Sequence, residues 1–444
     1  MSDHPIHRYG KDSPGVPAPF APIGRAERAD YSSRMRLFDA LLRKLIRKGT
    51  LIVVDAAGRR YIYGDRAADI PPVTIRFTDS ATPRRAAFNP ALELGEAYMD
   101  GRLLIEQGDI RAFLELIGAN THWDDDDASL RLWRPWRRGG LWETWNWKRK
   151  ARRNVAHHYD LSSRLYALFL DDDLQYSCGY FPTQTTGLEE AQAAKKAHIA
   201  AKLDLRPRQH VLDIGCGWGG LALHLHRLAD VDVTGITLSQ EQLEVARERA
   251  AASGVGDRVR FELLDYREVR GTFDRIVSVG MFEHVGPPNY RSFFEHCRAL
   301  LSADGVMLLH TIGRADGPAP TDRWLARYIF PGGYVPALSQ IAPAIEAARL
   351  WVTDVEVLRL HYAHTLSHWY QRVVSSREAI IALYDERFFR MWQFYLAGAI
   401  VAFRHDAHVN FQIQLSRRRE ALPLTRDYMV EAERAFIAET VILR

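Results

Sequence analysis

The segment HVLDIGCGWGGLALHLH, His210–His226, constrains the fold more than any other part of the 444-residue chain. An apolar run of strand length leads into Gly215, Gly217 and Gly220, and an amphipathic helical pattern follows at once. The C-terminal half then keeps alternating: VDVTGIT, a helix from Ser239, RVRFELL, FDRIVSV, a helix from Asn289, and GVMLLHTI. Strands and helices in alternation predict an α/β fold with a doubly wound, mainly parallel sheet. No internal repeat is visible.

The three glycines satisfy G-x-G-x-x-G, the pattern of a dinucleotide-binding loop. Such a site also wants an acidic residue at the end of its second strand to hold the ribose hydroxyls. Here that strand ends GITLSQ, with no acid. Asp213, just ahead of the glycines, suits S-adenosylmethionine instead: glycines let the backbone approach the methionine part, and an aspartate can meet its ammonium. The loop reads as that of a class I methyltransferase. A glycine turn that merely joins strand to helix has the same local pattern, so the rest of the chain has to supply the context.

A chain of this length is expected to form two domains. Residues 1–26 read as a flexible tail and residues 27–120 as a small domain. Residues 121–153 form a linker rich in tryptophan and arginine, and residues 154–444 form the α/β domain, with an aromatic helical insertion at about 365–404 before the last strand. The 59 basic and 55 acidic residues leave a charge of only +4, so overall charge names no partner. Cys178, Cys216 and Cys297 are too few and too scattered for a disulfide framework, which fits a reducing cytosol. The N-terminus is polar and proline-rich, and no run of eighteen apolar residues occurs, so neither a signal peptide nor a membrane span is expected. No metal site is expected either. His361, His364 and His368 lack the glutamate of H-E-x-x-H, and His361 is placed where a strand ends, while Asp124–Asp127 read as solvated.

Four further motifs accompany the loop in order: HYDLSSRLYALFLDDDLQYSCGYF (His158–Phe181), MFEHVG (Met281–Gly286), LLHTIG (Leu308–Gly313) and HYAHTLSHW (His361–Trp369). Together they resemble the cyclopropane-fatty-acyl-phospholipid synthase family, which includes the mycolic acid cyclopropane synthases. The likeness runs from about Arg153 to the C-terminus, and GEAYMDG (Gly95–Gly101) extends it into the first domain. It implies a Rossmann-like class I methyltransferase domain with a seven-stranded, mainly parallel sheet, beside a smaller α+β N-terminal domain that binds lipid or docks on a membrane. It further implies transfer of a methylene unit from S-adenosylmethionine to the cis double bond of an unsaturated phospholipid acyl chain. A carbocation intermediate is then deprotonated by a bound bicarbonate.

Residue by residue, the resemblance assigns Tyr176, Ser177, Asp213, Gly215 and Gly217 to the methionine end of the cofactor. Thr237, Leu238 and Gln242 go to the ribose, Asp265 and Tyr266 to the adenine, and Gly280 leaves room beside them. Cys178, Glu283, His310, Ile312 and Tyr362 become the anion site, with His158 in its wall. Because ring faces attract positive charge, Tyr176 and Phe282 are expected to face the cation. Cys178 is not expected to act as a nucleophile, because an alkene offers no carbonyl or phosphoryl centre. Two other readings stay open: a relative that stops at a methylated or methylenated chain, and a non-catalytic lipid-binding protein.

Action on lipid in a bilayer requires docking, and two stretches have the composition for it. In RMRLFDALLRKLIRK, Leu37, Phe38, Leu41, Leu42 and Leu45 share one helical face flanked by arginine and lysine. The linker adds Trp133, Trp136, Trp142, Trp145 and Trp147 among basic residues. The alternatives are that the helix packs on its own domain and that the tryptophans fill a domain interface. A protein peripherally bound to the inner face of the membrane from the cytoplasm is the expectation, with no nucleic-acid partner, since no such module accompanies the basic residues. A homodimer is left open.

Overall fold

The structure, a computed structural model, describes residues 35–124 and 162–442. The tail, nearly all of the linker and His158 lie outside the described residues. Strands β1 (Leu51–Val54), β2 (Arg60–Tyr63), β3 (Val73–Phe77) and β4 (Leu103–Gln107) form a four-stranded sheet in the order β2-β1-β3-β4. Strands β5 (His210–Ile214), β6 (Asp232–Thr237), β7 (Val259–Leu263), β8 (Phe273–Val279), β9 (Leu301–Arg314), β10 (Trp351–Leu358) and β11 (His408–Ser416) form a seven-stranded sheet in the order β10-β11-β9-β8-β5-β6-β7. From β9 to β7 all neighbours pair in parallel, and only β11 runs antiparallel to both of its neighbours.

The central position of β5 follows from its sequence. Val211, Leu212 and Ile214 are buried whichever face they point to, as a strand covered by helices on both sides requires. The following helix, Gly220–Ala229, lies against the sheet, and the next one, Gln240–Ala252, starts where the Ser239 side chain accepts a hydrogen bond from the Gln242 amide. The expected insertion occurs between β10 and β11 as three helices, His361–Ser375, Arg377–Leu383 and Glu386–His405.

The insertion joins the two sheets. One apolar core runs from Phe38 and Phe77 in the N-terminal unit through Trp369, Trp392 and Phe403 of the insertion to Tyr166, Phe169 and Cys178 beside the large sheet. Gly95 shows why GEAYMDG carries a glycine in mid-helix: a Cβ there would come within 2.6 Å of the Trp324 indole. Polar contacts tie the same surfaces. Tyr98 donates to Gln393 Oε1 at 2.6 Å, and Glu115 pairs with both Arg404 and His405.

One open alternative is decided and one expectation is corrected. The helix Arg36–Leu45 does not present its apolar stripe to a membrane: Phe38, Leu41 and Leu42 are buried under the small sheet, with Phe38 edge-on to Phe77 at 5.5 Å, and only Leu37 is largely exposed, at 52%. A four-stranded sheet needs one face covered, and this stripe covers it. His361 begins a helix and does not end a strand, so it shares a face with His364 and His368, and all three rings lie against Phe181. Among the described residues, no group of three or more His, Cys, Asp or Glu side chains is arranged to hold a metal ion.

Because the Phe38 side chain is core and not anchor, Phe38→Ala should lower unfolding free energy by about 3–5 kcal/mol in denaturant titrations. It should leave sedimentation with anionic vesicles unchanged for the fraction that remains folded.

Candidate active site

Parallel pairing of β5 with β6 on one side and β8 on the other makes their junction the point where connections diverge to opposite faces. A crevice opens there beyond the C-terminal strand ends, the usual ligand position in such sheets. A cavity occupies it. Its lining includes Tyr176 and Ser177, then Asp213, Gly215 and Gly217 at the end of β5, and Thr237, Leu238 and Gln242 at the end of β6. Asp265 and Tyr266 after β7 and Gly280 after β8 complete the set, so every residue assigned to the cofactor faces one space. Gly217 has φ +54, and a Cβ on it would project into open space, so a side chain there would be both strained and in the way of a ligand.

The polar groups of this cavity are arranged for a ligand with a cationic end and sugar hydroxyls. Asp213 is buried, its Oδ2 has no hydrogen-bond partner, and desolvation pushes its carboxyl up to about 7 against the pull of Lys195. A buried lone oxygen of this kind fits an ammonium. At the end of β6, Thr237 donates to Gln242 Oε1 at 2.9 Å, which leaves the Gln242 amide nitrogen to donate to a hydroxyl where the dinucleotide fold would use an acid. Asp265 is held by Arg267, which donates to both carboxylate oxygens at 2.8 and 2.6 Å, so it serves first to brace the turn that carries Tyr266.

The residues assigned to the anion lie behind this cavity and not on its lining. Glu283 sits in the turn Phe282–His284, whose neighbours Met281 and His284 do face the cavity. Its Oε1 accepts the Ile312 N–H at 2.6 Å, its Oε2 has no partner, and burial raises its carboxyl to about 7. The Ile312 N–H, expected to reach the anion, is therefore engaged by Glu283. His310 is engaged as well: its Nε2 pairs with the Asn410 amide at 3.3 Å and its Nδ1 with the Gln412 amide at 3.1 Å. Burial holds it down to about 3, so it is neutral. Cys178 and Tyr362 share the aromatic core, and the Gly179 N–H donates to Thr365 on the helix that carries Tyr362. Burial pushes the Cys178 thiol far up, and it donates to the Gly179 carbonyl. Phe282 does not face the cavity. It is fully buried and stacked on Tyr290 at 4.4 Å.

Several cavity residues escaped the sequence reading: Gln175, Trp218 and His284 on the lining, and Lys195 just behind it. Lys195 is fully buried in the helix Leu188–Lys202. Its signal was a lysine among small apolar residues in AQAAKKAHIAAK, where a solvated face is the default expectation.

The fold and the glycine-lined crevice at the β5/β8 junction define an S-adenosylmethionine-dependent methyltransferase. Residues 146–413 match the family described as mycolic acid cyclopropane synthetase, and the chain belongs to that family. It is 40% identical over 326 residues to a probable fatty acid methyltransferase of Pseudomonas putida, covering 71% of this chain and 80% of the relative. It is 38% identical over 352 residues to the cyclopropane-fatty-acyl-phospholipid synthase of Escherichia coli, covering 78% and 88%. Among solved structures, mycolic acid cyclopropane synthase CmaA1 complexed with SAH and CTAB superposes with a TM-score of 0.57 at 35% identity, covering 60% of this chain and 98% of that one.

The Asp213 carboxyl must be ionised to pair with an ammonium. With a value near 7 in the free protein, it is ready at pH 8 and protonated below 7. Calorimetric affinity for S-adenosylhomocysteine should therefore fall as pH drops from 8 to 5.5, by at most about tenfold per pH unit, and Asp213→Asn should flatten that slope. Gly217→Val should abolish measurable binding while leaving the far-ultraviolet circular dichroism of the fold in place.

Proposed function

We propose that this chain is a cyclopropane fatty acid synthase, transferring a methylene unit to the cis double bond of an unsaturated acyl chain esterified in a phospholipid. The observation that carries the reading is Glu283. It is a buried carboxyl with one unpartnered oxygen, held in a turn whose neighbours line the cofactor cavity. The names of the Escherichia coli and Pseudomonas relatives support a fatty-acyl substrate.

S-adenosylmethionine supplies the electrophilic methyl group. Attack by an alkene leaves a carbocation, which any water or strong nucleophile would trap. The surroundings suit its survival. Tyr176 lines the cavity with its ring stacked on the buried Trp369 at 5.2 Å, and ring faces attract positive charge. Cys178, kept protonated by burial, offers no thiolate. Ring closure then needs a weak, small base. A bicarbonate held by Glu283, Tyr362 and the backbone at Cys178 would supply one, and in this reading Glu283 Oε2, which has no partner, accepts its hydroxyl proton. His310, neutral and braced by Asn410 and Gln412, shapes that wall and adds no charge to it.

The lipid reaches the site, in this reading, from a membrane surface, with the tryptophan- and arginine-rich linker as the docking segment. Among the described residues no helix is long and apolar enough to cross a membrane. Attachment is peripheral and cytoplasmic in the proposal.

Protein, S-adenosylmethionine and mono-unsaturated phospholipid vesicles should yield lipid heavier by one CH₂, with upfield cyclopropane ring protons in NMR. A methyl or methylene branch without ring protons would make the chain a branching methyltransferase, and unchanged lipid would remove the acyl-transfer reading. Glu283→Gln and Tyr362→Phe should each keep near-normal cofactor affinity and lose about 10²–10³-fold in turnover, as when one preorganised polar contact is removed. Bicarbonate should stimulate degassed wild type and stimulate Glu283→Gln far less. A full rate without bicarbonate would make a protein side chain the base.

A further inference from the structure

The helix Leu188–Lys202 turns two polar side chains, one turn apart, onto the segment Gln175–Ser177 that walls the cavity. Gln192 donates through Nε2 to the backbone carbonyls of Ser177 at 2.9 Å and Gln175 at 3.3 Å. Lys195 takes the side chains: its ammonium donates to Gln175 Oε1 at 2.7 Å and Ser177 Oγ at 2.8 Å. Lys195 is completely inaccessible to solvent, so its charge acts across a medium that screens it weakly. Burial pushes it down to about 8, with Asp171 foremost among the groups that hold it up. A buried cation of this kind is costly unless it serves something.

Hydrogen-bond bookkeeping says what it serves. A hydroxyl has one proton and accepts with its lone pairs. Because Ser177 Oγ accepts from Lys195, its own proton is left to donate, and Ser177 faces the cavity. Gln175 likewise has its oxygen taken by Lys195, and its amide nitrogen already gives one proton to Asp173 at 3.1 Å, which leaves one more to donate. This wall is thereby turned into a set of donors with a positive charge directly behind it, which is the environment of a carboxylate. Asp213, with its lone oxygen, is the complementary acceptor on the same cavity. One wall suits a carboxylate and the other an ammonium, as an amino-acid end requires.

We infer that Lys195 is a positioning residue that fixes Ser177 and Gln175 as donors to the carboxylate of the cofactor's methionine end, and so selects ligands that retain that carboxylate. The inference rests on the reading that this cavity takes S-adenosylmethionine. Its test compares ligands that differ at the amino-acid end, each read as the ratio of variant to wild-type affinity, so that the sulfonium carried by the decarboxylated ligand alone cancels. S-adenosylhomocysteine keeps both amino-acid charges, decarboxylated S-adenosylmethionine keeps the ammonium alone, and methylthioadenosine keeps neither.

By calorimetry, Lys195→Met should weaken S-adenosylhomocysteine by at least about tenfold, the range of a lost charge-assisted hydrogen bond. It should leave the decarboxylated ligand and methylthioadenosine within about twofold of wild type. Ser177→Ala removes that donor while Lys195 keeps Gln175 Oε1 as acceptor, and should show the same selective loss even if Lys195→Met proves unable to fold. Equal weakening of all three ligands in Ser177→Ala, or no weakening of S-adenosylhomocysteine, would reduce Lys195 to a brace of the loop and overturn the inference. A wild-type protein that binds none of the three would instead remove the cofactor reading on which it stands.

Discussion

Parallel pairing around β5 is the constraint from which the site follows. With β6 on one side and β8 on the other, connections leave the strand ends toward opposite faces, and no chain can fill the gap between them. The loops that bound this gap must come close to a ligand without side chains intervening, which suits glycine at Gly217 and Gly280, where a Cβ would project into open space, while Gly215 leaves room for Met281. The gap exists before any side-chain chemistry is chosen. The residues around it decide what fills it.

Those residues combine apolar enclosure with a few charges withdrawn from water. Asp213, Glu283 and Lys195 are each buried, and burial moves the two carboxyls up and the amine down, toward one another's range. Groups so displaced change protonation state readily when their surroundings change, and one oxygen each of Asp213 and Glu283 is left without a hydrogen-bond partner. Neutral His310 and the neutral Cys178 thiol beside them add polarity without competing charge or nucleophilicity.

The enclosure itself comes from outside the α/β repeat. The helices between β10 and β11 carry Trp369 and Trp392, both fully buried, and these meet Tyr166, Phe169 and Tyr176 in one aromatic cluster. The N-terminal unit completes that wall by packing its helix Pro90–Met99 on Trp324 and Phe394. The enclosure thus depends on contacts between segments hundreds of residues apart, such as Tyr98 with Gln393.

Much was legible in the sequence because its signals are local. The alternation of strand and helix, the glycine loop after β5, the absent acid after β6 and the helical insertion before β11 are each written within a dozen or so neighbouring residues, and periodicity and backbone geometry need no distant partner to act. Long-range packing decided the rest. Whether the stripe of Arg36–Leu45 meets lipid or protein depends on a sheet that forms later in the chain, and it meets Phe77. Phe282, adjacent to Glu283 in sequence, turns into a different core. Lys195 looks like any surface lysine until the segment Gln175–Ser177 is folded over it. The charge states of Asp213 and Glu283 likewise come from the volume of protein around them, since desolvation sums over everything nearby in space and is blind to order along the chain.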